Sequence, residues 1–139
     1  MDPHQITEDF SVAPQITPED VPAIAAAGFR SIMCNRPDGE EPGQPDEAAV
    51  AAAARAAGLE MSSVPFSGAS MTEADVEAFR AALETMPKPM LAYCRSGTRC
   101  AMMWSLVSYD TLGPETILRA TSAAGYDMSG LVAQLQSRR

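Results

Sequence analysis

The stretch Tyr93-Cys94-Arg95-Ser96-Gly97-Thr98-Arg99-Cys100 sets a thiol and a guanidinium four intervening residues apart, with a glycine between them. A cysteine at the foot of such a turn becomes a nucleophile when its surroundings stabilise the thiolate. A short turn that opens a helix does this, because successive backbone N–H groups face inward as an anion-binding nest and the helix adds its positive end. Gly97 gives the turn access to positive φ without a Cβ clash. Arg99, at the far end, folds back to present two parallel donors to an anion. Cys94 and Arg99 are therefore the expected catalytic pair. Arg95 and Thr98 take outward positions that set substrate preference, Arg95 adding positive potential at the mouth. Ser96, small and inside the turn, is the expected hydroxyl partner of the Cys94 sulfur. The substrate class is a small anion or a sulfane-sulfur compound.

Such a loop must be held by a buried strand on one side and a helix on the other. Residues 90–93 are apolar throughout, as in a strand covered on both faces, and a helix is predicted over about 99–112. Upstream, strands and helices alternate. A first strand is expected at 10–13, then a helix over about 17–27 with Thr17 as N-cap, Pro18 at its first position and Gly28 as its stop. A strand at 29–34 leads into a loop at 35–45 whose three prolines and two glycines exclude regular structure. Asp46 caps an Ala-rich helix ending before Gly58, and a strand follows at 59–65. A helix capped by Thr72 ends near Pro87, and two further helices are expected at 114–123 and 128–137. The reading is an α/β fold, a small parallel sheet of about four strands flanked by helices, forming a single domain over 1–139. In parallel sheets ligands bind at the carboxyl ends of the strands, where the Cys94 loop falls.

Eighteen acids against ten bases give a formal charge of -8. That field repels phosphate polyanions, so neither a nucleic acid nor an anionic membrane is an expected partner. No apolar run approaches the roughly 20 residues that span a bilayer, and the start lacks the pattern of a signal peptide. Three cysteines (Cys34, Cys94, Cys100) make an odd set without an export signal, which points to reduced thiols and a cytoplasmic protein. A single histidine, His4, falls in a segment expected to fray, and no cluster has metal-ligand spacing. No metal and no cofactor are expected.

The Cys94-to-Arg99 spacing resembles the active-site loop of rhodanese-type sulfurtransferases; protein tyrosine phosphatases hold one residue more between theirs. Three further segments carry a second resemblance: Phe10-Ser11-Val12, the loop Asn35-Arg36-Pro37-Asp38-Gly39-Glu40-Glu41-Pro42-Gly43-Gln44-Pro45, and Ala92 to Arg99. Together they resemble the small bacterial beta-lactamase-hydrolase-like proteins, over roughly residues 5–112. That resemblance implies a protein-tyrosine-phosphatase-like fold and, often, sulfur transfer. Members also occur fused to a metallo-beta-lactamase-like persulfide dioxygenase, which implies that enzyme as a partner.

Two departures favour sulfur transfer. A phosphatase loop surrounds three phosphate oxygens, and one residue fewer removes one N–H, whereas a persulfide presents one terminal sulfur. Tyrosine-specific phosphatases also use an acid on an upstream loop, and residues 65–70 contain no carboxylate. The leading expectation is thus a sulfurtransferase carrying a persulfide on Cys94. The alternatives are a phosphatase acting through a phosphocysteine on Cys94, and a non-catalytic module that senses an oxyanion or persulfide. Asp38 reads as an acid or as the group that orients Arg99, against a turn-forming Pro-Asp-Gly with no function. Arg36 beside it orients substrate or braces the loop. Cys100 either packs against the sheet or resolves an oxidised Cys94; Cys34 either packs or partners it instead. Glu40 and Glu41 read as a solvated loop edge.

Overall fold

The computed structural model describes residues 2–138. The chain runs β1 (His4–Thr7), β2 (Phe10–Ala13), a 3-10 turn (Pro18–Asp20), α1 (Val21–Ala26), β3 (Ser31–Cys34), α2 (Glu47–Ala56) and β4 (Glu60–Ser63). It continues through α3 (Glu73–Thr85), β5 (Met90–Tyr93), α4 (Thr98–Leu112), α5 (Pro114–Ala123) and α6 (Ser129–Ser137). One five-stranded sheet results, in the order β1-β2-β5-β3-β4. β2, β5, β3 and β4 are parallel, and only β1 is antiparallel to its neighbour β2.

β5 lies between β2 and β3, which explains its apolar sequence: both faces are covered, so every residue of it is buried. The period of two along a strand divides its side chains between two cores. Met90 and Ala92 face the side packed by Phe79 of α3 and Trp104 of α4, while Leu91 and Tyr93 face Ile24 of α1 and Val50 and Ala54 of α2. On the first side Phe10 stacks on Trp104 at 6.3 Å between ring centroids and meets Phe79 edge-on at 6.3 Å. Each such buried ring contributes roughly 1.5–3 kcal/mol of hydrophobic stabilisation. Cys94 continues the alternation onto the α3–α4 side, and that places its sulfur under the first turn of α4.

The α/β architecture matches the sequence expectation, with three adjustments. The sheet gains β1, a polar tetrad that pairs through its backbone and buries Ile6. His4 therefore sits in a strand rather than in a frayed end. The helix expected at 17–27 divides into a 3-10 turn and the six-residue α1. The strands expected at 29–34 and 59–65 shorten to four residues each, their flanking residues becoming loops at the sheet's ends. No helix among the described residues is long and apolar enough to cross a membrane.

Candidate active site

The chain leaves β5 at Tyr93 and enters α4 at Thr98, with Gly97 between them at φ 91. An L side chain there is strained, and a Cβ would also run into the Tyr126 hydroxyl, so only glycine fits. Within this turn the Gly97 N–H donates to the Cys94 sulfur at 3.1 Å. Cys94 is 1% exposed, so its sulfur lies at the foot of the turn rather than at the surface. The Cys100 thiol, hydrogen-bonded to that sulfur, is the strongest influence lowering the Cys94 pKa; burial opposes it, and the amides of Cys100, Ser96 and Arg99 lower it further, to about 5. Complete burial holds the Cys100 pKa well above its ordinary value. Near neutral pH Cys94 is thus a thiolate and Cys100 keeps its proton as donor. That is the charge state of a nucleophile beside a hydrogen-bonding partner.

Arg99 closes the turn from its far side. Its Nη1 donates to Glu40 Oε2 at 2.8 Å and to the Phe66 carbonyl at 3.1 Å, and its Nη2 donates to Glu40 Oε1 at 2.7 Å. A guanidinium carries five N–H groups; these bonds use three, leaving Nε–H and the second Nη2 hydrogen side by side on one edge. Glu40 also accepts from Arg36 Nε at 2.8 Å. Arg99 above all, and Arg36 with it, hold the Glu40 carboxyl down at about 2. Such a carboxylate carries no proton to deliver. It acts as a clamp on two arginines.

Arg36 itself is 1% exposed at its side chain. Its remaining bonds run from Nη2 to Glu41 at 2.9 Å and from Nη1 to Gln15 Oε1 at 3.0 Å. The Gln15 backbone N–H in turn donates to the Arg95 carbonyl at 3.2 Å. A charge buried this far persists only with its partners satisfied, and here those partners tie the 35–45 loop to the Cys94 turn. The loop is pinned on itself by Gln44, which donates to the Pro37 carbonyl and accepts from the Glu40 amide.

The expected residues fall out as follows. Cys94, Gly97 and Arg99 converge in one turn, and Arg36 braces it from beneath. Arg95 and Thr98 face outward and are exposed. The Ser96 hydroxyl does not reach the sulfur. It donates to Thr98 Oγ1 at 3.0 Å and accepts weakly from the Thr98 amide, because the Gly97 N–H occupies the sulfur-facing position. Asp38 Oδ1 accepts from the Glu47 N–H at 2.9 Å, at the start of α2. The carboxylate on Arg99 is Glu40 rather than Asp38. Cys34 is buried and donates to the Arg36 carbonyl at 3.3 Å. Cys100 is both packed in the core and bonded to Cys94. Two contributors escaped sequence reasoning. Glu40 sits in a loop segment that reads as solvated edge, where spacing carries no signal of which carboxylate turns inward. Tyr126, which touches the turn, lies too far along the chain for any spacing to reveal it.

Comparison with known proteins follows from this geometry. Residues 2–110 match the family model described as "Beta-lactamase hydrolase-like protein, phosphatase-like domain". A beta-lactamase hydrolase-like protein of Xylella fastidiosa is 38% identical over 133 residues, covering 94% of this chain and 31% of that protein. The chain thus spans about a third of that relative's length. A crystal structure of a candidate phosphatase from Neisseria meningitidis superposes with a TM-score of 0.84 at 34% identity, covering 97% of this chain and 96% of that one. The structure of Tk-PTP in its active form superposes at 0.70 with 14% identity over 98% and 94% of the two chains, a likeness of fold alone. The family description and the names of the two structures speak of phosphatases, and none of these names speaks of sulfur transfer. With the thiolate turn, the arginine and the match over most of its length, the chain belongs to the beta-lactamase hydrolase-like, phosphatase-like domain family.

Proposed function

We propose that the chain is a cysteine-dependent phosphatase of small phosphoesters. The Cys94 thiolate attacks phosphorus, the bond to the leaving oxygen breaks, and a phosphocysteine forms; water then attacks it, releasing phosphate and regenerating the thiolate. The observation that carries this reading is the open edge of Arg99. Glu40 and Phe66 hold the rest of the guanidinium, and the two free N–H groups match two oxygens of a tetrahedral oxyanion. Thiosulfate, itself a tetrahedral oxyanion, would engage the same edge, so the geometry marks an oxyanion substrate and the phosphatase names of similar structures favour phosphate. The loop amides supply further stabilisation where charge develops. Cys94 and Arg99 are the catalytic residues in this account. Gly97 shapes the turn, the Ser96 hydroxyl bonds Thr98 Oγ1, Arg95 and Thr98 select substrate at the mouth, and Arg36 braces the arginine through Glu40.

Glu40 is locked as an acceptor and Asp38 is engaged at α2, so the site favours phosphates whose leaving group departs without a proton, aryl phosphates and phosphoanhydrides among them. The test is hydrolysis of p-nitrophenyl phosphate by purified protein. Turnover abolished in Cys94→Ser supports the reading, and turnover that survives in that variant overturns it.

A second reading is sulfur transfer through a persulfide on Cys94. The four-residue spacing and the want of a proton donor favour it, since thiolate and sulfite leave without one. It would bring with it a sulfane-sulfur donor and a persulfide dioxygenase as partner. Intact-mass measurement after incubation with thiosulfate separates the two: gain of one sulfur atom without aryl phosphate turnover selects sulfur transfer. Tight sulfate binding with neither product would leave an oxyanion-sensing module. Both enzymatic readings need Cys94 as a free thiol, and Cys34, Cys94 and Cys100 are all unpaired, which suits the cytoplasm or another reducing compartment.

A further inference from the structure

Tyr126 lies in the connection between α5 and α6, just after Gly125. Its amide donates to the Thr121 carbonyl at 2.8 Å, and its ring is 9% exposed. The hydroxyl reaches across to the Cys94 turn and donates to the Ser96 carbonyl at 3.0 Å. That carbonyl and the Gly97 N–H belong to one peptide unit. In a trans peptide the C=O and N–H point in opposite directions, and this N–H is the one that donates to the Cys94 sulfur at 3.1 Å. A donor on the oxygen therefore fixes the direction of the N–H and polarises it as well. The same hydroxyl lies where a Cβ on residue 97 would have to go.

The hydroxyl is itself held. His4, on β1, approaches it through Nδ1 at 3.0 Å, with the two rings tilted at 5.6 Å between centroids. Since the Ser96 carbonyl can only accept, the single hydroxyl proton goes there and the His4 ring donates from both nitrogens, Nδ1 to this hydroxyl and Nε2 to Asp2 Oδ2 at 3.1 Å. Burial raises the Tyr126 pKa to about 12, so the hydroxyl keeps the proton it donates. Two segments remote from the Cys94 turn in sequence thus converge on one peptide plane.

We propose that Tyr126 is a positioning residue for the Cys94 turn: its hydroxyl, seated between His4 and the Ser96 carbonyl, aims the Ser96–Gly97 peptide so that its N–H meets the Cys94 sulfur and, during reaction, the anion bound there. This rests on the reading of Cys94 as a thiolate nucleophile, and it assigns to Tyr126 no contact with substrate.

Tyr126→Phe removes the hydroxyl and leaves the ring. The test measures the Cys94 pKa from the pH dependence of iodoacetamide alkylation, located by peptide mapping, together with the melting temperature. The Cys94 pKa is expected to rise by about half to one unit in Tyr126→Phe, with kcat/KM for p-nitrophenyl phosphate down roughly tenfold. His4→Phe, which deletes the donor behind the hydroxyl, shifts the pKa in the same direction by less and covers the case in which Tyr126→Phe does not fold. A purely structural role would lower the melting temperature and leave the alkylation profile in place. An unmoved profile in the folded variants overturns the proposal. Alkylation reads the thiol directly, so a shifted profile in a protein without phosphatase turnover upholds Tyr126 while refuting the proposed reaction.

Discussion

Replacing Glu40 by Gln keeps the shape of the clamp between two arginines and removes its charge. Glu40 accepts three N–H bonds from guanidinium groups, two from Arg99 and one from Arg36. Glutamine offers one acceptor oxygen and turns an NH2 donor toward a cation. The Arg36 bond is the costly one, because that side chain is 1% exposed. A hydrogen bond to a buried charge contributes about 1.5–3 kcal/mol, and Arg36 retains Glu41 and Gln15, which keeps the loss inside that range. The Arg99 pair lies nearer solvent and adds about 0.5–1 kcal/mol. The sum is a destabilisation of about 2–4 kcal/mol, or a fall in Tm of about 6–12 °C for a domain of this size. Freed from its clamp, the Arg99 guanidinium samples many orientations, and kcat/KM for an aryl phosphate should drop about 10- to 100-fold. The assays are thermal denaturation and p-nitrophenyl phosphate hydrolysis. The pH dependence supplies an independent sign. The folded-state pKa of Glu40 is lowered to about 2, so its contribution is full above the ordinary carboxylate range and is lost as pH falls toward that value. Wild type should therefore lose stability more steeply than Glu40→Gln on acidification. A variant with unchanged Tm and unchanged kcat/KM would falsify the clamp.

Three further outcomes follow from the same contacts. The Cys94 pKa is lowered to about 5, so its alkylation rate should be half-maximal near that pH; its contribution to stability grows as pH rises above about 5 and vanishes as pH falls through it. Alkylation that begins only in the ordinary thiol range would refute the assignment. Asp38→Ala should cost about 0.5–2 kcal/mol through the lost bond at the start of α2, measured by urea denaturation, with kcat changed by less than about threefold. A hundredfold loss of kcat would instead make Asp38 the proton donor. Gly97→Ala forces a Cβ into a positive-φ residue against Tyr126; it should destabilise by about 1–3 kcal/mol and silence aryl phosphate hydrolysis, and full activity there would contradict the described turn.

What the sequence disclosed and what it hid divide along the distance between cause and effect. The Cys94 turn was legible because nucleophile, glycine and arginine fall within six residues, and because the apolar tetrad before them reads as a covered strand. α3 and α5 announced themselves through local capping, Thr72 and Asp75 bonding to each other's ends and Pro114 standing at a first helical position. β1 was hidden, since His4-Gln5-Ile6-Thr7 has one buried apolar side chain and pairs by backbone bonds that leave no mark on composition. Within the 35–45 loop, spacing could not tell which of two carboxylates two residues apart would turn inward. The fold sends Asp38 to the helix start and Glu40 to the arginines. Tyr126 meets Ser96 across thirty positions of chain, a contact only the packing of α5 against β1 and α4 creates.

The reaction intermediate is where the account stands most exposed. Protein mixed rapidly with p-nitrophenyl phosphate, quenched in acid within the first turnover and mapped by mass spectrometry, should carry one phosphoryl group on the peptide containing Cys94 and none in Cys94→Ser. A phosphoryl group on another side chain, or steady hydrolysis with residue 94 unmodified at every quench time, would mean that this sulfur is not the nucleophile.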